Sequence, residues 1–184
     1  MKKVTRDEIL DFVTYGEQRE RIRAQVMALK APRRIHLGEA LTFLFETTET
    51  VRYQVLEMVR TEQIVKEAEI RHELETYNEL LGEDGELGCT LLIELDDPAD
   101  RAAKLRAWRS LPEHLYLLLE DGERVRAQYD RRQIDDTRLS SVQFLKFATR
   151  GRAPVAIGAD LPELTLEVRL NPEQAAALRS DLAR

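Results

Sequence analysis

The chain is predicted to adopt an α+β fold, with N-terminal helices that include one long helix, followed by an antiparallel sheet with two packing helices. Three observations carry this expectation. Apolar residues recur at helical spacing up to Leu81, the period changes to two at Leu87, and the later strands are joined by short turns. At 184 residues the chain suits a helical half with short extended segments over 1–82 and a sheet half with helices over 83–184, built as one continuous unit.

The first element is marked by Thr5-Arg6-Asp7-Glu8, a capping box in which a threonine and a glutamate satisfy each other's orphan amides, with Val4 and Ile9 as a hydrophobic staple. A break is expected near Gly16, giving two helices, the second carried by Ile22, Val26 and Leu29 until Pro32 removes a backbone donor. Residues Arg34–Leu37 and Leu41–Phe45 flank Gly38 as a small extended ribbon. The long helix is expected to begin at Thr47 or Thr48 and to end before Gly82, a span of about 50 Å at 1.5 Å per residue. Its apolar stripe follows Val51, Val55, Met58 and Val65, then reappears out of phase as Ile70, Leu74, Tyr77 and Leu81. Such a helix bends at Lys66–Glu69 or meets two partners, and its reach favours self-association as a homodimer.

Beyond Gly85, Leu87, Cys89, Leu91, Ile93 and Leu95 alternate as a half-buried strand. Asp97-Pro98 supplies the cap and first residue of a helix through Trp108. Leu115–Leu119 is a continuous apolar strand, and Asp121-Gly122 turns it into Val125, Ala127 and Tyr129. Further strands fit Val142–Phe147, Val155–Ile157 and Leu164–Leu170, and Asn171-Pro172 starts a final helix.

An apolar fraction of 43% with 34% charged residues describes a globular chain with a solvated exterior. The formal charge of −6 opposes any chain-wide attraction to phosphate backbones or anionic membranes. No apolar run approaches bilayer length, Met1-Lys2-Lys3 leads into a capped helix, and Cys89 has no second cysteine to pair with, so a cytoplasmic location is expected. The sequence carries no phosphate-binding glycine loop, nucleophile elbow, H-E-x-x-H or C-x-x-C. Cys89 shares its strand face with Leu91 and Ile93 and is read as a core thiol.

Glu69-Ile70-Arg71-His72 is a Glu-x-x-His of the type that di-iron bundles use twice, and iron is the metal it would suit. A dimer would supply the second copy, with Glu57 or Glu62 as bridging carboxylates. His72, however, stands about 200° around the helix from Ile70 and Leu74, so without a covering subunit the pair are solvated charges. His36 and His114 are isolated and read as structural. Glu62 falls near the apolar stripe, where a buried carboxylate requires a partner, and Arg60, Arg34 or Arg33 would serve. Gln54 and Glu57 lie one turn apart on a neighbouring face. Arg34, Glu46, Gln54, Glu57, Arg60 and Glu62 therefore form either an ion-pair network that orients the ribbon or a pocket for a ligand or partner. Arg19, Arg21, Arg23, Lys30, Arg33 and Arg34 make the early helix basic. Their functional reading is contact with RNA or an acidic protein, but without interleaved aromatics and in an acidic chain a solvated face is the default.

Arg33-Arg34-Ile35-His36-Leu37-Gly38, Leu41-Thr42, Phe45-Glu46, Thr50-Val51, Gln54, Glu57-Met58, Arg60, Glu62, Glu75 and Tyr77-Asn78 together resemble the bacterial family named domain of unknown function 3501, over nearly the full length. The resemblance implies no reaction. It does imply a setting, since members are encoded beside a rubrerythrin-like protein and an iron–sulfur oxidoreductase. The expectation is therefore a non-catalytic accessory protein that binds a redox or iron-associated partner through its helical half. The alternatives are a metal-binding protein, or a small-ligand enzyme that uses Glu46, Glu57, Arg60 and Glu62.

Overall fold

Glu8 closes the capping box on a single 3₁₀ turn, Arg6–Glu8, by accepting the Thr5 amide at 2.8 Å, and Val4 and Ile9 are both buried beside it. In this computed structural model, which describes residues 1–135 and 137–183, the first α-helix follows that turn. Helix α1 (Phe12–Lys30) starts at Asp11, whose carboxylate accepts the Val13 and Thr14 amides at 3.0 Å. It runs unbroken through Gly16, so the two expected helices are one. No heavy atom beyond the local chain lies within 4 Å of where a Gly16 Cβ would stand, and the glycine costs the helix only about 1 kcal/mol relative to alanine. This is the fold's long N-terminal helix.

The segment expected to form the long helix is instead two helices, α2 (Thr48–Thr61) and α3 (Glu67–Asn78). Gln63 takes the left-handed conformation at φ 51°, its amide bonds the Arg60 carbonyl at 3.3 Å, and the Ile64 amide bonds the Val59 carbonyl at 2.9 Å. That pair of bonds is a Schellman termination, with buried Ile64 as its apolar clasp. The phase slip in the apolar stripe marks this break. The termination uses glutamine where glycine is usual, so no glycine announces it.

The extended segments become β1 (Arg34–Leu37) and β2 (Leu41–Phe45), paired antiparallel. They do not stand alone, because β2 also pairs with β3 (Leu87–Ile93), setting Phe43 opposite Leu91 and Phe45 opposite Cys89. After β3 come α4 (Pro98–Ala107), capped by Asp97, and the short α5 (Leu111–His114). Strands β4 (Leu115–Leu119), β5 (Arg124–Arg126), β6 (Gln128–Tyr129), β7 (Val142–Phe147), β8 (Pro154–Leu161) and β9 (Leu164–Arg169) follow, then α6 (Pro172–Leu182). They build two antiparallel sheets, ordered β1-β2-β3-β7-β6 and β5-β4-β8-β9. The first sheet draws strands from both sides of Gly82. Between β5 and β6 only Ala127 intervenes, and there the chain passes from one sheet to the other.

The inner faces of the two sheets share one core. Phe43, Phe45, Leu91 and Phe147 from one meet Leu115, Leu117 and Ile157 from the other, with Leu105, Trp108, Leu111 and Leu178 contributed by the later helices. Cys89 belongs to this core at 1% exposure. A second cluster, around Tyr15, Val51, Val55, Leu56, Val59, Ile70 and Leu74, binds α1, α2 and α3 together. Arg33 joins the helical end to the last helix by a buried fork, Nε and Nη2 each donating to Asp181 at 2.8 Å, while Nη1 reaches the Leu29 carbonyl at 2.8 Å. Asn78 ties down the first residues in similar fashion, accepting the Val4 amide at 2.8 Å and donating to the Val4 carbonyl at 2.9 Å. No helix among the described residues is long and apolar enough to cross a membrane.

Candidate binding site at the helix seam

Helices α1 and α2 run antiparallel, and polar side chains line their seam from one end to the other. Tyr15, Arg19, Arg23 and Lys30 are spaced by four, four and seven residues, which keeps them on one face of α1. Opposite stand Glu57 and Tyr53 of α2, and then Glu46 just beyond β2.

At the first station Glu57 accepts the Tyr15 hydroxyl at 2.5 Å and both Arg19 donors, Nε at 2.8 Å and Nη2 at 2.9 Å. The Arg19 fork holds the Glu57 carboxyl below its ordinary range, against the opposing effect of burial. Burial and the neighbouring carboxylate push the Tyr15 phenol up. Every polar group here has a partner, so the station locks α1 to α2.

The second station is different. Arg23 donates to the Tyr53 hydroxyl at 3.1 Å, and the Lys30 ammonium lies 5.4 Å from the centre of the same ring. Burial lowers the Lys30 ammonium below its usual range, and Arg34 and Arg23 push the same way while Glu46 opposes them. Among the described residues Arg23, Lys30 and Arg34 form no salt bridge. Glu46, 7% exposed, is already engaged, one oxygen accepting Thr50 Oγ1 at 2.5 Å and the other Thr90 Oγ1 at 2.6 Å. Lys30 thus lies within electrostatic reach of Arg23, of Arg34 and of a carboxylate that two threonines engage.

The expected site residues separate accordingly. Glu46 and Arg34 both lie within electrostatic reach of Lys30 at the second station, and Glu57 belongs to the first. Gln54 is half-buried on α2, and Arg60 is exposed within electrostatic reach of Glu57. Glu62 is not the buried, arginine-paired carboxylate expected. It caps the C-terminus of α2, is exposed, and forms no ion pair among the described residues, because the helix ends there and turns its side chain away from the stripe. A half-buried pairing with Arg19 falls to Glu57, and Arg33, one of the partners proposed for Glu62, goes to Asp181. Glu69 pairs with Lys66 at 2.8 Å, and His72 stands exposed on α3. No group of three His, Cys, Asp or Glu side chains in metal-holding positions occurs among the described residues.

Tyr15, Arg19, Tyr53, Lys30 and Thr90 were not among the expected residues. The spacing of α1 carried the signal, since a solvated basic face has no reason to place tyrosine, arginine, arginine and lysine in one row. The second sheet carries another polar assembly, in which Asp160 accepts Arg126 at 2.7 and 2.8 Å and contacts His114 at 3.1 Å. Arg126 lowers the Asp160 carboxyl to about 2. Tyr116 lies flat on Gly158 beneath Arg124, at 4.2 Å, and donates to Glu167 at 2.8 Å. Each charge there is matched.

No curated protein matches the chain. Among solved structures it is similar to a crystal structure described as a novel protein of unknown function from Burkholderia pseudomallei K96243, with a TM-score of 0.89 and 33% identity over 98% of this chain and 100% of that one. A family model described as protein of unknown function matches residues 3–182, and the chain belongs to that family, domain of unknown function 3501.

Proposed function

We propose that the chain is a cytoplasmic, non-catalytic accessory protein that binds an acidic surface of a redox or iron-associated partner through the α1–α2 seam. The observation that supports this reading is the second station, where Arg23, Lys30 and Arg34 gather without a salt bridge. Arg23 and Arg34 are exposed and Lys30 is half-buried, so their charge is open to steer and orient an incoming anion. The surrounding fold is built for rigidity, with the seam clamped at Glu57 and at Arg33–Asp181.

The partner class that the family resemblance implies is a rubrerythrin-like protein or an iron–sulfur oxidoreductase. Titration of either purified partner with the chain should show binding that weakens with salt and drops at least tenfold, about 1.4 kcal/mol, in Lys30→Glu. Binding that ignores both salt and Lys30→Glu would overturn the reading. Iron content of the purified protein separates it from the metal-binding alternative built on Glu69 and His72, for which stoichiometric iron is required.

A further inference from the structure

Arg34, which lies within electrostatic reach of Lys30, stands at one end of the outer face of the first sheet. Strand pairing places Arg34 opposite Leu44, Leu44 opposite Thr90 and Thr90 opposite Phe144, a single row across the outer face of the first sheet. Three strand spacings put the Phe144 end about 14 Å from Arg34. In the next row Leu92 pairs with Val142. Phe144 and Val142 are 42% and 38% exposed, high values for large apolar side chains on a sheet. Phe144 also lines a groove of about 740 Å³ that continues past Tyr77, Leu80, Leu81 and Tyr129. Between the ends of the row Leu44 is buried and Thr90 holds the Glu46 carboxylate, so the open apolar strip is the Leu92, Val142 and Phe144 end. Positive charge at one end of the face and that strip leading into a groove match few ligands. Nucleic acid would need several stacking rings, and the strip has one. A purely polar anion would leave the strip unused.

We infer that the outer face of the first sheet binds an organic acid with an extended apolar body, its anionic oxygens on Lys30, Arg34 and Arg23 and its body along Leu92, Val142 and Phe144 toward the groove. Glu46, whose oxygens accept Thr50 and Thr90, lies within electrostatic reach of Lys30 and offsets part of the local positive charge. Tyr53 serves as a positioning residue, fixing Arg23 through its hydroxyl and Lys30 through its ring. The inference uses the same cations as the proposed partner site, yet it stands or falls separately, because the ligand is a small molecule.

Calorimetric titration of the full chain with decanoate, acetate and decylammonium tests it. Decanoate should bind saturably and at least tenfold more tightly than acetate, and decylammonium should show no saturable binding. Lys30→Met and Arg34→Gln should each weaken decanoate several-fold, and Phe144→Ser should remove most of the advantage over acetate. Arg21→Gln, on the exposed side of α1, should change nothing. Circular dichroism confirms that each variant is folded. The inference is overturned if decanoate fails to bind at millimolar concentration, if decylammonium binds equally well, or if Lys30→Met and Arg34→Gln leave decanoate binding intact. Partner binding that persists alongside such a failure would leave the accessory role standing without this ligand.

Discussion

Removing the charge from Asp181 isolates the cost of the most deeply buried ion pair among the described residues. Arg33 and Asp181 have side chains 5% and 0% exposed, and two of the guanidinium donors end on the carboxylate at 2.8 Å. Asp181→Asn keeps the shape and one acceptor but leaves the guanidinium buried without a counter-charge. Removing one partner of such a pair costs about 3–5 kcal/mol, against a folding free energy of about 5–15 kcal/mol for a typical domain. With a urea dependence of roughly 1–3 kcal/mol per molar, the unfolding midpoint should fall by roughly 1 M or more. The double variant Arg33→Met/Asp181→Leu should recover much of the loss, since it leaves no unpaired charge in the protein interior. A loss below about 1 kcal/mol for Asp181→Asn, or a double variant whose loss equals the sum of the two single ones, would refute the assignment of this pair as a coupled, desolvated unit.

Further outcomes follow from the seam and the helices. Glu57→Gln should cost roughly 1.5–3 kcal/mol at pH 7, the usual worth of hydrogen bonds to a charged group. Because Arg19 depresses the folded carboxyl below 4.5, that contribution is complete above pH 4.5 and is lost as pH falls through the lowered value. Denaturation curves of wild type and variant should therefore converge in acid, and a constant gap at every pH would count against the pairing. Gly16→Ala should stabilise the chain by about 0.5–1 kcal/mol, read as a higher urea midpoint, because α1 is continuous and the added methyl meets nothing. Asn78→Ala should cost about 1–3 kcal/mol and speed amide exchange at Val4, which loses a buried acceptor. Glu62→Gln should stay within about 0.5 kcal/mol of wild type. Cys89 should react with a bulky thiol reagent only as fast as the protein unfolds, since burial excludes the reagent and pushes its thiol up.

Strands were the most legible part of the sequence. The alternation of Leu87, Cys89, Leu91 and Ile93 and the turn at Asp121-Gly122 reappear as β3 and the β4–β5 connection, because a half-buried strand must alternate and a tight hairpin needs a residue at positive φ. The helix boundaries were less legible. Gly16 reads as a breaker when only the backbone is considered, yet its neighbours on α1 bury enough surface to carry the helix through it. Gln63 does the reverse, ending a helix with a residue that has no breaker character, and only the displaced stripe of Ile70 and Leu74 reports it. The site was partly visible. Glu46 and Glu57 were among the candidate carboxylates, but their partners Thr90 and Arg19 lie 44 and 38 positions away. Helical phase places a side chain on its own element and says nothing about which distant element will face it. Glu62 was misjudged for that reason, since its phase was correct for a helix that had already ended.

The passage of the chain from one sheet to the other at Ala127 bears on how the molecule reaches this structure. The middle strand β3 has one neighbour from residues 41–45 and the other from residues 142–147, and between those two partners the chain lays down β4 and β5 in the opposite sheet. Neither sheet can be finished before the other is well advanced. Arg33, meanwhile, finds its counter-charge 148 positions along the chain. Such interleaved, long-range pairing makes the search for the native topology slow and leaves little for an isolated segment to gain by ordering early. A chain cut at Gly82 would carry β1 and β2 as a hairpin with one bare edge, and its complement would begin with β3 lacking that neighbour. The fold is therefore expected to assemble, and to come apart, as a single cooperative event.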